Sequence, residues 1–172
     1  MALKKLGVAV TGDIGCYTLG VMEPLNALDT CICMGASIGN AIGMERVKGS
    51  EKGTVAVIGD STFVHSGITG LLDAVWNQSN VTIIILDNRA TAMTGGQQHP
   101  ATGKTLMGAD SPSLNLVELV KALGVKKYNL TSAASDCLYN SRHCGGSGNR
   151  HTIRSYQVFS WRLPRFYAHS CK

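Results

Sequence analysis

Nowhere in its 172 residues does the chain hold an apolar run of the ~18 residues that a membrane-spanning helix needs. The amino terminus, MALKKLGVAV, lacks the long apolar core and small-residue cleavage site of a secretory signal. The six cysteines include no pair at the two-residue gap of a zinc knuckle or a redox motif. These absences argue against a spanning helix, a disulfide frame and a compact zinc module. They leave a soluble, cytoplasmic protein with reduced thiols as the expectation. A phosphate-binding loop is also wanting. QHPATGKT (98–105) ends correctly, but Gln98 stands where the first glycine belongs, and LMGADSP does not open a helix. A P-loop NTPase is therefore only a remote alternative.

The net charge of +5 invites a nucleic-acid or membrane reading. Its distribution argues otherwise. Residues 1–135 carry equal numbers of acidic and basic side chains. The excess comes from Arg142, Arg150, Arg154, Arg162, Arg165 and Lys172, set against Asp136 alone. Basic residues are mostly Lys in the body and mostly Arg beyond it. Three of the five histidines and half the cysteines also fall there, with no sustained hydrophobic period. The expected organisation is one domain over 1–134 and an irregular basic tail over 135–172. So abrupt a change of usage points to a frameshifted or otherwise non-native end, with a genuine basic extension as the alternative. Cys137, His143, Cys144 and His151 match no zinc-ligand spacing.

The body alternates between two periodicities. GVAV (7–10), TVAVIGD (54–60) and VTIIILD (81–87) are apolar runs without alternation, as expected of strands covered on both faces. SIGNAIGMERV (37–47), SGITGLLDAVWNQ (66–78) and SLNLVELVKALG (113–124) read as helices. Ser113 is the candidate cap of the last and Gly124 its stop. VKKYNL (125–130) is a weaker final strand. Alternating strands and helices imply right-handed crossovers and a parallel sheet, in an α/β fold. Ligands of such sheets bind beyond the carboxyl ends of the strands. GDIGC (12–16), GDST (59–62) and the Gly/Thr-rich start of a long loop, DNRATAMTGGQ (87–97), all fall there. So long a loop in a small domain is itself a functional signal.

Asp60 ends one strand and Asn88 follows the next. Neighbouring parallel strands lie about 4.8 Å apart, so the two side chains can meet. A carboxylate with an amide oxygen is hard ligation that suits Mg²⁺ sharing its shell with phosphate and water. The Ala90 carbonyl is positioned to add a third ligand. Gly59, Ser61 and Thr62 are small enough for backbone amides to approach a diphosphate, and a helix starting near Ser66 would add its positive end. Taken singly, Asp60 also reads as a helix cap and Asn88 as a turn residue.

Gly-Asp, an interval of 25–30 residues, then Asn after an apolar strand resembles the thiamine diphosphate-binding motif. TGDIGCYTLG, DTCICMGASIGNAIG, AVIGDSTFVHSGITGLLDAV and VTIIILDNRATAMTGGQQHPATG are similar to the cofactor domain of the indolepyruvate:ferredoxin oxidoreductase alpha subunit. The resemblance covers roughly 2–134 and includes Ser61 where most thiamine enzymes have Gly. It implies a parallel-sheet thiamine diphosphate-binding fold, truncated here. It implies Asp60, Asn88 and the Ala90 carbonyl as Mg²⁺ ligands, and Gly59, Ser61 and Thr62 along the diphosphate. Thr94 would close over it, and Gly15 and Cys16 would lie near the thiazolium. Ile38 would support the bent cofactor, with plain helix packing as the alternative.

The reaction implied by the resemblance is oxidative decarboxylation of an aryl pyruvate with coenzyme A and ferredoxin, in which the cofactor carries the chemistry. The family's CPGCPHR-like segment, pyrimidine-binding domain and iron–sulfur domain are not represented in this sequence. The body cysteines lack cluster spacing. The resemblance thus implies partners: those two domains or subunits, a beta subunit and ferredoxin. The chain is expected to be a fragment, inactive alone and weak in cofactor affinity. The alternative is a non-functional or assembly-dependent remnant supplying only a half-site.

Overall fold

The computed structural model describes residues 2–48, 53–131 and 155–160. A short helix, α1 (Ala2–Leu6), leads through Gly7, at φ +66°, into β1 (Ala9–Gly12). The strand sits two residues later than the GVAV run suggests, because the turn after α1 consumes Gly7 and Val8. β2 (Thr30–Cys31), α2 (Ala36–Lys48) and β3 (Thr54–Gly59) follow. A continuous helical segment then runs from α3 (Asp60–Thr62) through a wider π turn (Phe63–Gly67) into α4 (Ile68–Trp76). β4 (Val81–Asp87), α5 (Leu116–Ala122), β5 (Tyr128–Thr131) and β6 (Ser155–Ser160) complete the described elements.

The strands form one sheet in the order β2-β1-β3-β4-β6-β5. β2, β1, β3 and β4 are mutually parallel, as expected of the alternating pattern. From β1 the chain passes to β2 on one side and later to β3 on the other. This reversal opens a crevice at the carboxyl ends of β1 and β3. β6 pairs antiparallel with both β4 and β5. The VKKYNL strand therefore reaches the sheet through β6 rather than directly. β6 also lies within the stretch expected to be irregular. The domain limit at 134/135 and the residues Cys137, His143, Cys144 and His151 lie outside the described residues.

The unalternating strands are buried on both faces, which explains their composition. Ala56, Ile58, Ile83 and Ile85 face a core with α2, α4 and α5. Val55 and Val57 face the other side with Val10, covered by Leu3, Tyr17 and Leu28. One helix cap differs from expectation. The Asn115 side chain accepts from the amides of Val117 and Glu118, so the cap of α5 lies two residues after the position read at Ser113. Ser113 Oγ instead donates to the Ala101 carbonyl at 2.9 Å. Gly124 closes this segment at φ +92°, as anticipated.

Candidate functional site

The first residue after β3 is already helical. Gly59 is extended, at φ −77° and ψ 156°, and Asp60 opens α3. The helix thus begins six residues before the Ser66 start inferred from hydrophobic spacing. Ser61 and Thr62 occupy its first turn, where backbone amides lack intrahelical partners and the helix dipole is positive. The π turn beyond reflects close packing. A Cβ at Gly67 would lie 2.8 Å from Ile58 Cδ1 and 2.9 Å from the Phe63 ring.

Asp60 is only 2 % exposed. Its Oδ1 accepts the Ser61 amide at 2.8 Å. Its Oδ2 accepts the Arg89 amide, also at 2.8 Å, from the turn that ends β4. That contact brings together the two strand ends that the sequence placed side by side. Asn88 Oδ1 accepts the Ala90 amide at 3.1 Å, a side-chain turn that folds buried Ala90 back toward the sheet edge. Arg89 takes a left-handed conformation, φ 54°, to complete the turn. Asp87 Oδ1 also accepts the Arg89 amide, at 3.1 Å. Burial and the adjacent Asp60 carboxylate push the Asp87 carboxyl up from its ordinary range.

The Gly/Thr-rich loop is tied to this corner. Ser61 Oγ and Thr91 Oγ1 share a hydrogen bond of 2.7 Å. Thr91 and Gln97 pair across a tight turn containing Gly95 and Gly96, both at positive φ. Thr94 sits at its exposed apex, donating from Oγ1 to Gln97 Oε1 at 2.6 Å.

The loop after β1 meets the same corner. The Ile14 carbonyl accepts from Thr62 Oγ1 at 3.3 Å and from the Tyr17 hydroxyl at 3.4 Å. The Gly59 amide donates to the Tyr17 oxygen at 3.0 Å. A Cβ at Gly15 would lie 2.5 Å from the Tyr17 ring, so only glycine admits the ring there. Cys16, half-buried, opens the 3₁₀ turn Cys16–Val21 beside it. Burial and the carboxylates of Asp13 and Asp60 push the Tyr17 phenol well above its ordinary range.

Gly15, Cys16, Gly59, Asp60, Ser61, Thr62, Asn88 and Ala90 thus share one edge of the sheet, with Thr94 on the loop above. Ile38 lies in the first turn of α2. It is fully buried in the core, and a Cβ at Gly70 of α4 would lie 3.1 Å from its own Cβ. Its environment is that of helix packing between α2 and α4.

Four residues of the corner escape sequence reasoning. Asp13 is completely buried; its oxygens accept the amides of Ile14, Gly35 and Ser37. Tyr17 and Thr91 carry the cross-links described above. His99 is 7 % exposed, with Nε2 3.2 Å from Asp60 Oδ2. For Asp13 a signal existed: an acid between a strand and the first loop of a parallel sheet. For His99 none did, since it lies deep in an aperiodic loop.

The donor set is one of oxygens. Two neighbouring carboxyls, an amide and a buried turn residue's carbonyl fit a hard divalent cation, which would relieve the repulsion that raises Asp87. No group of three His, Cys, Asp or Glu side chains poised for a metal occurs among the described residues. The Asp60, Asn88 and Ala90 set is not of that kind. No helix among the described residues is long and apolar enough to cross a membrane.

The family model of the thiamine pyrophosphate enzyme C-terminal TPP-binding domain matches residues 13–140. Indolepyruvate oxidoreductase subunit IorA of Archaeoglobus fulgidus is 44% identical over 125 residues, 72% of this chain and 20% of that protein. The same-named subunit of Pyrococcus horikoshii is 48% identical over 124 residues, 65% of this chain and 19% of its own length. The chain therefore spans about a fifth of the relatives it matches. Benzoylformate decarboxylase of Polynucleobacter necessarius superposes with a TM-score of 0.50 at 21% identity. That match covers 72% of this chain and 26% of that one. It is a likeness of fold alone.

Proposed function

The chain belongs to the thiamine pyrophosphate enzyme family as a C-terminal TPP-binding domain, and from that premise we propose that it supplies the diphosphate–Mg²⁺ half of an aryl-pyruvate oxidoreductase site. The observation that carries the reading is the Asp60 carboxylate at the end of β3, bonded to the Arg89 amide at the end of β4. Asp60, Asn88 and the Ala90 carbonyl would hold Mg²⁺. Gly59, Ser61 and Thr62 would line the diphosphate at the start of the helical segment, where helix N-termini favour anions. Thr94 would close the loop over it. Gly15 and Cys16 would border the thiazolium.

When bound, the cofactor would supply the carbanion chemistry that decarboxylates a 2-oxoacid. This chain's own residues bind and orient it; none of them is assigned a proton transfer. The name of the IorA relatives motivates indolepyruvate as substrate. Coenzyme A, ferredoxin, a beta subunit, a pyrimidine-binding domain and an iron–sulfur domain would complete the reaction. Because the chain matches only a fifth of those relatives, activity is proposed to require such partners.

Calorimetric titration with thiamine diphosphate and Mg²⁺ tests the reading. Weak binding by the chain and its loss in Asp60→Ala are expected. Binding that Asp60→Ala leaves unchanged would sink the metal assignment. Aryl-pyruvate turnover by the chain alone would sink the half-site reading.

A further inference from the structure

We propose that His99 is a positioning residue for the Asp60 carboxylate, holding Oδ2 from the loop side as a neutral imidazole protonated on Nε2. The inference rests on the half-site reading above and deepens it. Both side chains are buried, at 5 % and 2 % exposure, and Nε2 lies 3.2 Å from Oδ2. They stand 39 positions apart in the chain, so the approach is a product of the fold.

The protonation state follows from the other ring nitrogen. The Ala101 amide lies 3.4 Å from His99 Nδ1 and donates to it. An amide N–H can only donate, so Nδ1 presents its lone pair and the proton of the neutral ring is on Nε2. That N–H is off the line to Oδ2, and Nε2 makes no formed hydrogen bond among the described residues. Among the described residues, the polar group shown beside Nε2 is the Asp60 carboxylate.

Three groups then surround the Asp60 carboxylate. Two are backbone amides, Ser61 on Oδ1 and Arg89 on Oδ2. The third is the His99 ring, with Nε2 3.2 Å from Oδ2, and it comes from the loop that follows the Thr91–Gln97 turn. Its backbone is pinned, the His99 carbonyl accepting from Thr102 N at 2.9 Å and Thr102 Oγ1 at 2.8 Å. In this proposal the buried ring holds the long loop against the acid and limits the orientations open to the carboxylate. Partners of this kind, which hold a ligating side chain in place, commonly change metal affinity 10–100-fold when removed.

The test uses the full chain and compares His99→Gln with His99→Asn. Gln reaches the Nε2 position with an N–H; Asn does not. The first measurement is the imidazole tautomer of His99 by ¹⁵N NMR without metal. An Nε2–H tautomer is expected, and an Nδ1–H tautomer overturns the proposal. The second is Mn²⁺ affinity in the presence of thiamine diphosphate, followed by electron paramagnetic resonance. His99→Asn should weaken Mn²⁺ by about 10–100-fold while His99→Gln stays within about threefold of the unmodified chain. Equal weakening in both variants, or none in either, overturns the positioning role. If the unmodified chain takes no Mn²⁺, the half-site reading fails, and the tautomer alone decides the His99–Asp60 contact.

Discussion

The carboxylate of Asp13, at the end of β1, accepts the backbone amide of Ser37 at 3.0 Å, and so caps α2 from a different element of the fold. Its other oxygen takes the Gly35 amide at 2.8 Å. With Ile14, three amides converge on one fully buried acid. This contact ties the first loop of the crevice to the helix that packs beneath it.

Asp13→Asn is expected to destabilise the chain by roughly 2–3 kcal/mol, because the carboxamide turns an N–H toward buried donors. Urea unfolding followed by circular dichroism measures it. A loss below about 0.5 kcal/mol would show that the cap is dispensable.

Gly35→Ala should be as damaging for another reason. Gly35 sits at φ +83°, and an added Cβ would lie 2.6 Å from Ser66 Cβ and 3.0 Å from the Ser66 carbonyl. Neither strain nor clash relaxes easily where the neighbour is backbone. A loss of about 2 kcal/mol or more is expected in the same assay, against the gain of several tenths that Gly→Ala brings at an unstrained site.

Ile38→Val separates packing from cofactor support. If Ile38 serves the α2–α4 interface, stability falls by about 0.5–1.5 kcal/mol. Thiamine diphosphate affinity, read by calorimetry under conditions where the variant is fully folded, should stay within twofold. A large affinity loss with little change in stability would restore Ile38 to the cofactor site.

Tyr17 predicts an alkaline weakness. Its phenol is held above the ordinary range by burial and by the Asp13 and Asp60 carboxylates. The unfolded phenol ionises near pH 10, so above that pH the unfolded chain binds fewer protons and stability falls as pH rises. The Tyr17 phenolate, followed by absorbance at 295 nm, should form only as the protein unfolds. Tyr17→Phe should remove that component, at the cost of the hydrogen bond from Gly59. A Tyr17 signal titrating in the folded protein near pH 10 would contradict this.

Much of the fold was legible in the sequence for a local reason. β3 and β4 are continuous apolar runs because both faces are covered, so burial itself writes the pattern. α2 and the loop after β4 were bounded by periodicity and by glycine. The helix start was missed because Asp60, Ser61 and Thr62 are polar and break the hydrophobic period although they are helical. What keeps that turn helical is its anchoring to Ile14, Arg89 and Thr91. The Asn115 cap was missed because Ser113, an equally good capping residue, stands two positions away and is occupied by Ala101.

By itself, the sequence determined the parallel α/β alternation, the placing of Asp60 and Asn88 at adjacent strand ends, and the family to which those motifs belong. Each depends on residue type and on spacing along a strand or its loop. Only the tertiary structure decided that Asp13 caps α2, that Ile38 is core, that Tyr17 reaches the Gly59 amide, and that His99 lies against Asp60. Those contacts join groups with no periodic relation along the chain. They form only when separate elements are packed, and burial then leaves each polar group few partners but the ones it meets there.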